Sequence, residues 1–293
     1  MSLLAAVLLG LVQAATEFLP VSSTAHLLVF GELLGFELGD ERFRAFVDVI
    51  QVGTALAVVV YFRVDLWRIL SAVVAGLRRG APLGTPDAKL GWLIAMGTVP
   101  AALLGKLLEH RIEALGNWVI AASLIFLGLV LLLAERLARH ERSLDEVGAK
   151  EAGLIGLAQA WALIPGSSRS GCTLTMGMLL GFTREAAARF SFLLSVPIVL
   201  AAGAYKLWKV LPALRGQADW QLATAAGTVV SFLAGYLVIG WLLGWLRTRK
   251  TYLFVVWRLV AGVAIAALIW QGVLPERTER PAPAASAAAA SQG

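Results

Sequence analysis

The stretch Gln13-Ala-Ala-Thr-Glu17-Phe-Leu-Pro20-Val-Ser22-Ser23-Thr24-Ala-His26 interrupts an otherwise apolar region. A second stretch does the same farther on: Gln159-Ala-Trp-Ala-Leu-Ile-Pro165-Gly166-Ser167-Ser168-Arg169-Ser170-Gly171-Cys172-Thr173. Each sets a proline and a Ser-Ser pair between two short apolar runs, then returns to an apolar run ending in Leu-Leu-Gly-Phe. Proline removes a backbone donor and hydroxyl side chains cap helix starts. Each stretch therefore reads as a helix, a break and a new helix.

The surrounding chain fixes the solvent. Its 293 residues are 59% hydrophobic and 15% charged, whereas a soluble domain carries roughly 25% charged residues. Six runs, at about 43–63, 88–109, 117–137, 186–211, 219–246 and 252–273, are long enough to cross a hydrocarbon core of ~30 Å. The two interrupted regions, about 1–36 and 150–182, have halves too short to cross, so a hairpin that enters and leaves on one side fits them better. The sequence predicts an all-α polytopic membrane protein with six spanning helices plus two re-entrant helix–loop–helix hairpins. Residues 1–280 form a single integral membrane domain, and the Ala, Pro and Ser tail 281–293 is expected to be disordered. The first 16 residues lack a charged n-region and run into the first motif, which argues against a cleaved leader.

The net charge of +6 does not point to nucleic acid, because the Lys and Arg lie mostly in short connections. One cysteine, Cys172, excludes an internal disulfide and a cysteine metal cluster. A homodimer is compatible with the sequence, which does not fix an oligomeric state.

The duplication reaches beyond the two motifs. Val52 to Tyr61 matches Val196 to Tyr205, and Gly97-Thr98-Val99 through Gly105 echoes Gly227-Thr228-Val229 through Gly235. Each half, about 1–140 and 150–275, reads as one hairpin plus three crossings. Three is odd, so the halves are expected to be inverted copies, an inverted-topology repeat whose broken helices meet near the bilayer midplane. Arg63, Arg68, Arg78, Arg79, Lys89, Arg136, Arg139, Arg142, Lys150, Arg184, Arg189, Arg247, Arg249 and Lys250 make 14 cations on one face. Arg42, Arg44, Lys106, Arg111, Lys206, Lys209, Arg215, Arg277 and Arg280 make 9 on the other. The richer face is expected to be cytoplasmic, which puts both termini outside.

The breaks carry the chemistry. Ser22, Ser23 and Thr24, and Ser167, Ser168 and Ser170, stand where helix N-termini leave free N–H groups, a setting that binds phosphate. Arg169 adds a cation with a fork suited to phosphate oxygens, and Gly166 lets backbone come close. Glu17 lies at membrane depth, where a charge needs a cavity, a metal or a partner. One reading pairs it with Arg169. Another has Gln13 and Glu17, on one helix face, hold a divalent cation through oxygen, Mg²⁺ or Ca²⁺. His26 could act as general acid or base while a serine hydroxyl, Ser23 in one reading, attacks phosphorus, and direct attack by a His-activated water fits the sequence equally. Asp48 stands four residues after Arg44 and could pair with it, and Arg258 in the last run is given a packing role with no partner named.

These residues resemble the undecaprenyl-diphosphatase family, the bacitracin-resistance membrane phosphatases. That family carries Glu/Gln-x-x-x-Glu running into Phe-Leu-Pro-Val-Ser-Ser-Thr-Gly-His, and Pro-Gly-x-Ser-Arg-Ser-Gly-x-Thr. The matching segments here run from Gln13 to His26 and from Pro165 to Thr173. The resemblance implies a bacterial inner-membrane enzyme that hydrolyses undecaprenyl diphosphate and recycles the lipid carrier for cell-wall synthesis. It also implies a divalent cation, a site open to the periplasm, and catalytic roles for Glu17, Ser23, His26 and Arg169. Thr173 falls in the second motif and joins the expected substrate contacts. Gln13 stands where most members have Glu, and Ala25 where they have Gly. A transporter of an anion or lipid phosphate would share the inverted repeat and Arg169, but has no need of a histidine beside a hydroxyl cluster.

Overall fold

A computed structural model describes residues 1–113, 115–214 and 217–276. The tail 281–293, with Arg215, Arg277 and Arg280, lies outside the described residues. Among the described residues the chain forms eleven α-helices: α1 Leu3–Phe18, α2 Ser23–Leu33, α3 Glu41–Tyr61, α4 Arg63–Arg78, α5 Pro86–Glu113, α6 Asn117–Leu137, α7 Ala149–Trp161, α8 Arg169–Leu179, α9 Arg184–Leu214, α10 Ala218–Thr248 and α11 Tyr252–Trp270. No strand forms among them; backbone pairs only in an isolated bridge between Arg142 and Phe182.

Six helices are long and apolar enough to cross a membrane: α3, α5, α6, α9, α10 and α11. They coincide with the six apolar runs. Leucines and valines on them, such as Leu133, Leu237, Val260 and Val263, stay exposed, as lipid-facing side chains do. α1, α2, α7 and α8 have 16, 11, 13 and 11 residues. At 1.5 Å per residue none exceeds about 24 Å, short of a ~30 Å core. α4 fills the interval between the first two apolar runs, which predicted no helix there. Its Val64, Trp67, Leu70 and Leu77 are exposed, and only Ile69 is buried.

The two breaks arise from local chemistry. Before Pro20 the chain must leave the helical region, and Leu19 takes ψ 144°. Ser22 then turns at φ 77° and caps α2, its hydroxyl oxygen accepting the Ala25 N–H. Ser168 repeats this at φ 66°, accepting the Gly171 N–H at 3.2 Å. Gly166 is needed for two reasons: its φ is +86°, and a Cβ there would lie 2.7 Å from the Ile120 Cα of α6.

Packing holds the short helices against the long ones. α1 lies on α10 and α2, and α7 lies on α5 and α8. Gly10 of α1 meets the backbone of Gly227, where a Cβ would be 2.6 Å from the carbonyl oxygen. Gly156 of α7 meets Gly97 of α5 in the same way, 2.8 Å from its Cα. Small residues at such crossings let helices approach without a large side chain between them. Gly10, Gln13, Ser22, Gly31, Gly35 and Phe36 all recur 146 residues later, as Gly156, Gln159, Ser168, Gly177, Gly181 and Phe182. α3 packs on α9 and α10, and α6 on α11. At one end of the bundle the buried Glu135 of α6 pairs with Arg184 of α9. It also accepts from the Thr251 N–H and hydroxyl at 3.1 and 2.9 Å.

Candidate active site

The end of α1 and the starts of α2 and α8 meet at one carboxylate. Glu17 Oε1 accepts from Arg169 Nη2 at 2.7 Å, and Glu17 Oε2 accepts from Ser23 Oγ at 2.8 Å. The Gln13 Nε2 group donates to the same Oε2 at 3.3 Å and to Thr54 Oγ1 at 3.3 Å. Phe18 fixes the end of α1 by packing edge-on against Phe192 of α9, with centroids 5.7 Å apart. The Glu17 and Arg169 side chains keep 19% and 20% exposure, so the pair is sheltered yet reachable.

They open onto a cavity of about 350 Å³. Glu17, Ser22, Ser23, Thr24, Gly166, Ser168 and Arg169 all line it. Two helix N-termini point here, and the N–H groups of Ser23, Thr24, Arg169 and Ser170 have no carbonyl one turn back in their own helices. Donor hydroxyls, a guanidinium and two sets of free N–H groups around one small space are the chemistry that suits an anion.

Five expected site residues do not line this cavity: Gln13, which lies behind Glu17, and four others. Ser170 Oγ donates toward the carbonyls of Glu17 and Leu19, at 3.2 and 3.1 Å, and so joins the second break to the end of α1. Thr173 Oγ1 donates to the Arg169 carbonyl at 2.8 Å and contacts Ser191 Oγ. Ser167 is fully buried, and its carbonyl accepts from Arg258. His26 faces α11: the Trp257 Nε1–H donates to His26 Nε2 at 2.7 Å, and His26 Nδ1 lies 2.7 Å from the Ser22 carbonyl. An indole N–H can only donate, so Nε2 accepts and Nδ1 carries the proton toward Ser22. The Ser23 hydroxyl is bonded to Glu17, and no hydrogen bond to His26 is found among the described residues.

The oxygen donors for a cation are few. Gln13 Oε1 is buried without a partner beside the Glu17 carboxylate. No group of three His, Cys, Asp or Glu comes together among the described residues.

Three residues matter here that the sequence reading passed over or left without partners. Arg258 is 1% exposed and donates to Pro20 O (3.0 Å), Ser167 O (3.0 Å), Gly166 O (3.4 Å), Leu124 O (3.3 Å) and Ser123 O (3.4 Å). It ties the two breaks to each other and to α6. The only sign of this in the sequence is a guanidinium in the middle of an apolar run, which must find acceptors. Gln51 and Lys206 also line the cavity; one stands mid-way along its apolar run and the other near the end of its run, and neither belongs to a motif.

The sequence model of a family described as bacitracin resistance protein BacA matches residues 6–264. The undecaprenyl-diphosphatase of Anaeromyxobacter dehalogenans strain 2CP-1 is 73% identical over 281 residues, 96% of each chain. That of Chloroherpeton thalassium is 48% identical over 94% of this chain and 99% of its own. The Kineococcus radiotolerans undecaprenyl-diphosphatase is 48% identical over 91% of this chain and 94% of its own.

Proposed function

The chain belongs to the bacitracin resistance protein BacA family, and from that premise we propose that its cavity hydrolyses undecaprenyl diphosphate to undecaprenyl phosphate and phosphate. The product is the lipid carrier of peptidoglycan synthesis, and its recycling is what confers bacitracin resistance. The observation that carries the mechanism is the Glu17 carboxylate, which holds the Ser23 hydroxyl on one oxygen and the Arg169 guanidinium on the other.

Ser23 Oγ attacks the terminal phosphorus as Glu17 takes its proton. The bond from that phosphorus to the bridging oxygen breaks, and undecaprenyl phosphate leaves with the electron pair and the proton from Glu17. While it carries that proton, between the two transfers, Glu17 no longer holds Arg169 by charge, and the guanidinium turns to the phosphoryl oxygens. The N–H groups at the starts of α2 and α8 meet the charge that develops there. Water then attacks the phosphoserine, passing its proton through Glu17 back to Ser23 Oγ, and phosphate is released. His26 positions the turn by donating to the Ser22 carbonyl. Gln13 Oε1 and Glu17 suit a divalent cation that arrives with the substrate, because Mg²⁺ is commonly held by one or two carboxylates plus phosphates. It would neutralise the diphosphate.

The re-entrant hairpins and the inverted repeat are part of the same proposal. Their support is the exchange of packing: α1 sits on α10 as α7 sits on α5, each crossing at a pair of glycines. The Lys and Arg asymmetry supports a bacterial inner-membrane protein with both termini and the cavity on the periplasmic side.

Phosphate release from undecaprenyl diphosphate by the detergent-solubilised chain tests the reading, with acid-quenched samples searched for phosphate on Ser23. Release by the wild type, loss in Ser23→Ala and a trapped phosphoserine are expected. Full activity in Ser23→Ala would reassign the attack to a water held by Glu17.

A further inference from the structure

The cavity at Ser23 adjoins a groove with an apolar wall. The groove, about 470 Å³, has one wall of Leu27, Leu28, Leu38, Phe43 and Val47, carries Arg44, Asp48 and Asn117 elsewhere on its lining, and shares Thr24, Gln51, Pro165 and Lys206 with the polar cavity. Lys206 also lines a small space of about 90 Å³ beside Glu17 and Arg169. The ammonium thus stands where polar wall meets apolar wall. Its Nζ donates to Asp48 Oδ1 at 2.6 Å and to Gln51 Oε1 at 3.2 Å, and its side chain is 39% exposed.

Charge balance gives this lysine a task. Glu17 neutralises Arg169 before substrate arrives, while a diphosphate brings several negative charges. A lipid diphosphate with its terminal phosphate at Ser23 and its chain along the apolar wall would place its lipid-proximal phosphate at the junction between them. We infer that Lys206 binds that lipid-proximal phosphate, and that Asp48 and Gln51 hold the ammonium ready until substrate displaces it. A lysine is a compact point charge on a flexible stem, suited to a phosphate that moves in and out. The inference rests on the reading of the cavity as a lipid-diphosphate site, and it adds a binding residue outside both breaks.

The alternative is an ordinary ion pair joining α3 to α9, and partly exposed pairs of that kind contribute little. The two readings differ in sign at Asp48. Steady-state phosphate release from undecaprenyl diphosphate by the full chain in detergent should show KM about tenfold higher in Lys206→Met, with kcat within about threefold. Lys206→Arg should recover most of the loss. Asp48→Asn frees the ammonium and should leave KM unchanged or lower it. Inhibition by undecaprenyl phosphate, which keeps the lipid-proximal phosphate, should weaken in Lys206→Met, while inhibition by inorganic phosphate should not.

Equal losses in Lys206→Met and Asp48→Asn would overturn the inference in favour of a structural pair. So would an unchanged KM in Lys206→Met. A wild-type chain that releases no phosphate would instead sink the proposed function, and the inference with it. Melting temperatures of the variants, measured alongside, separate misfolding from lost binding.

Discussion

At the first break Ser22 turns the chain at φ 77° and ψ 104°; at the second, Ser168 does so at φ 66° and ψ 113°. Both serines cap the helix that follows, and both preceding helices cross a long partner at a glycine pair. The side chains then part company. At the offset of 146, Glu17 faces Leu163, Ser23 faces Arg169 and His26 faces Cys172. Gln13 finds Thr54 and Glu17, whereas Gln159 is buried with neither end partnered. The turn and its cap repeat, while the side chains around them do not. In the proposed site the first break supplies acid and hydroxyl and the second the cation, joined at the Glu17 carboxylate.

The largest expected effect tests that division. Glu17→Gln should lower kcat for phosphate release by about 10³-fold, roughly 4 kcal/mol in the barrier. Leu163→Met, at the equivalent place in the second break, should stay within about twofold. Comparable losses at the two positions would mean that the second break carries more than a cation.

What joins the breaks can be removed separately. Arg258→Met leaves the carbonyls of Pro20, Gly166 and Ser167 without their buried donor. At about 1–3 kcal/mol per orphaned group, not fully additive, a loss of about 3 kcal/mol in stability is expected. A drop in melting temperature in detergent would register it; an unchanged melt would show that the breaks hold together without this residue.

The six spanning helices and both breaks were legible in the sequence, because hydropathy and helix punctuation are local. Ser22 and Ser168 could be read as caps for the same reason. α4 was passed over because Arg63, Asp65, Arg68 and Arg78 dilute the hydropathy of its apolar stripe, which is visible only as a period. The partner of Glu17 was one of two readings open from the residues alone. The partners of His26, Lys206 and Arg258 lie about 90 to 240 positions away in the chain, and no spacing rule reaches that far. His26 sits one turn from Ser23, which suggested that it served that hydroxyl. The structure instead gives the hydroxyl to a full negative charge across the break and turns the ring toward Trp257. Ser170, expected to face substrate, bonds the end of α1.

The smallest effect sharpens the contrast between the two glutamines. Gln159→Leu removes two buried polar atoms that have no partner among the described residues, so stability should rise by about 1 kcal/mol with activity unchanged. Gln13→Leu should reduce activity. A destabilised Gln159→Leu protein would mean that this side chain has a role matching that of Gln13.

The most direct test of a site shared between the breaks is a double-mutant cycle on kcat/KM with Glu17→Gln, Arg169→Met and both together. Residues acting as one unit lose their effect together. Each single variant is expected to fall by about 10²–10³-fold, and the double variant by no more than about tenfold beyond the worse single. Losses that multiply would contradict a single site built from both breaks.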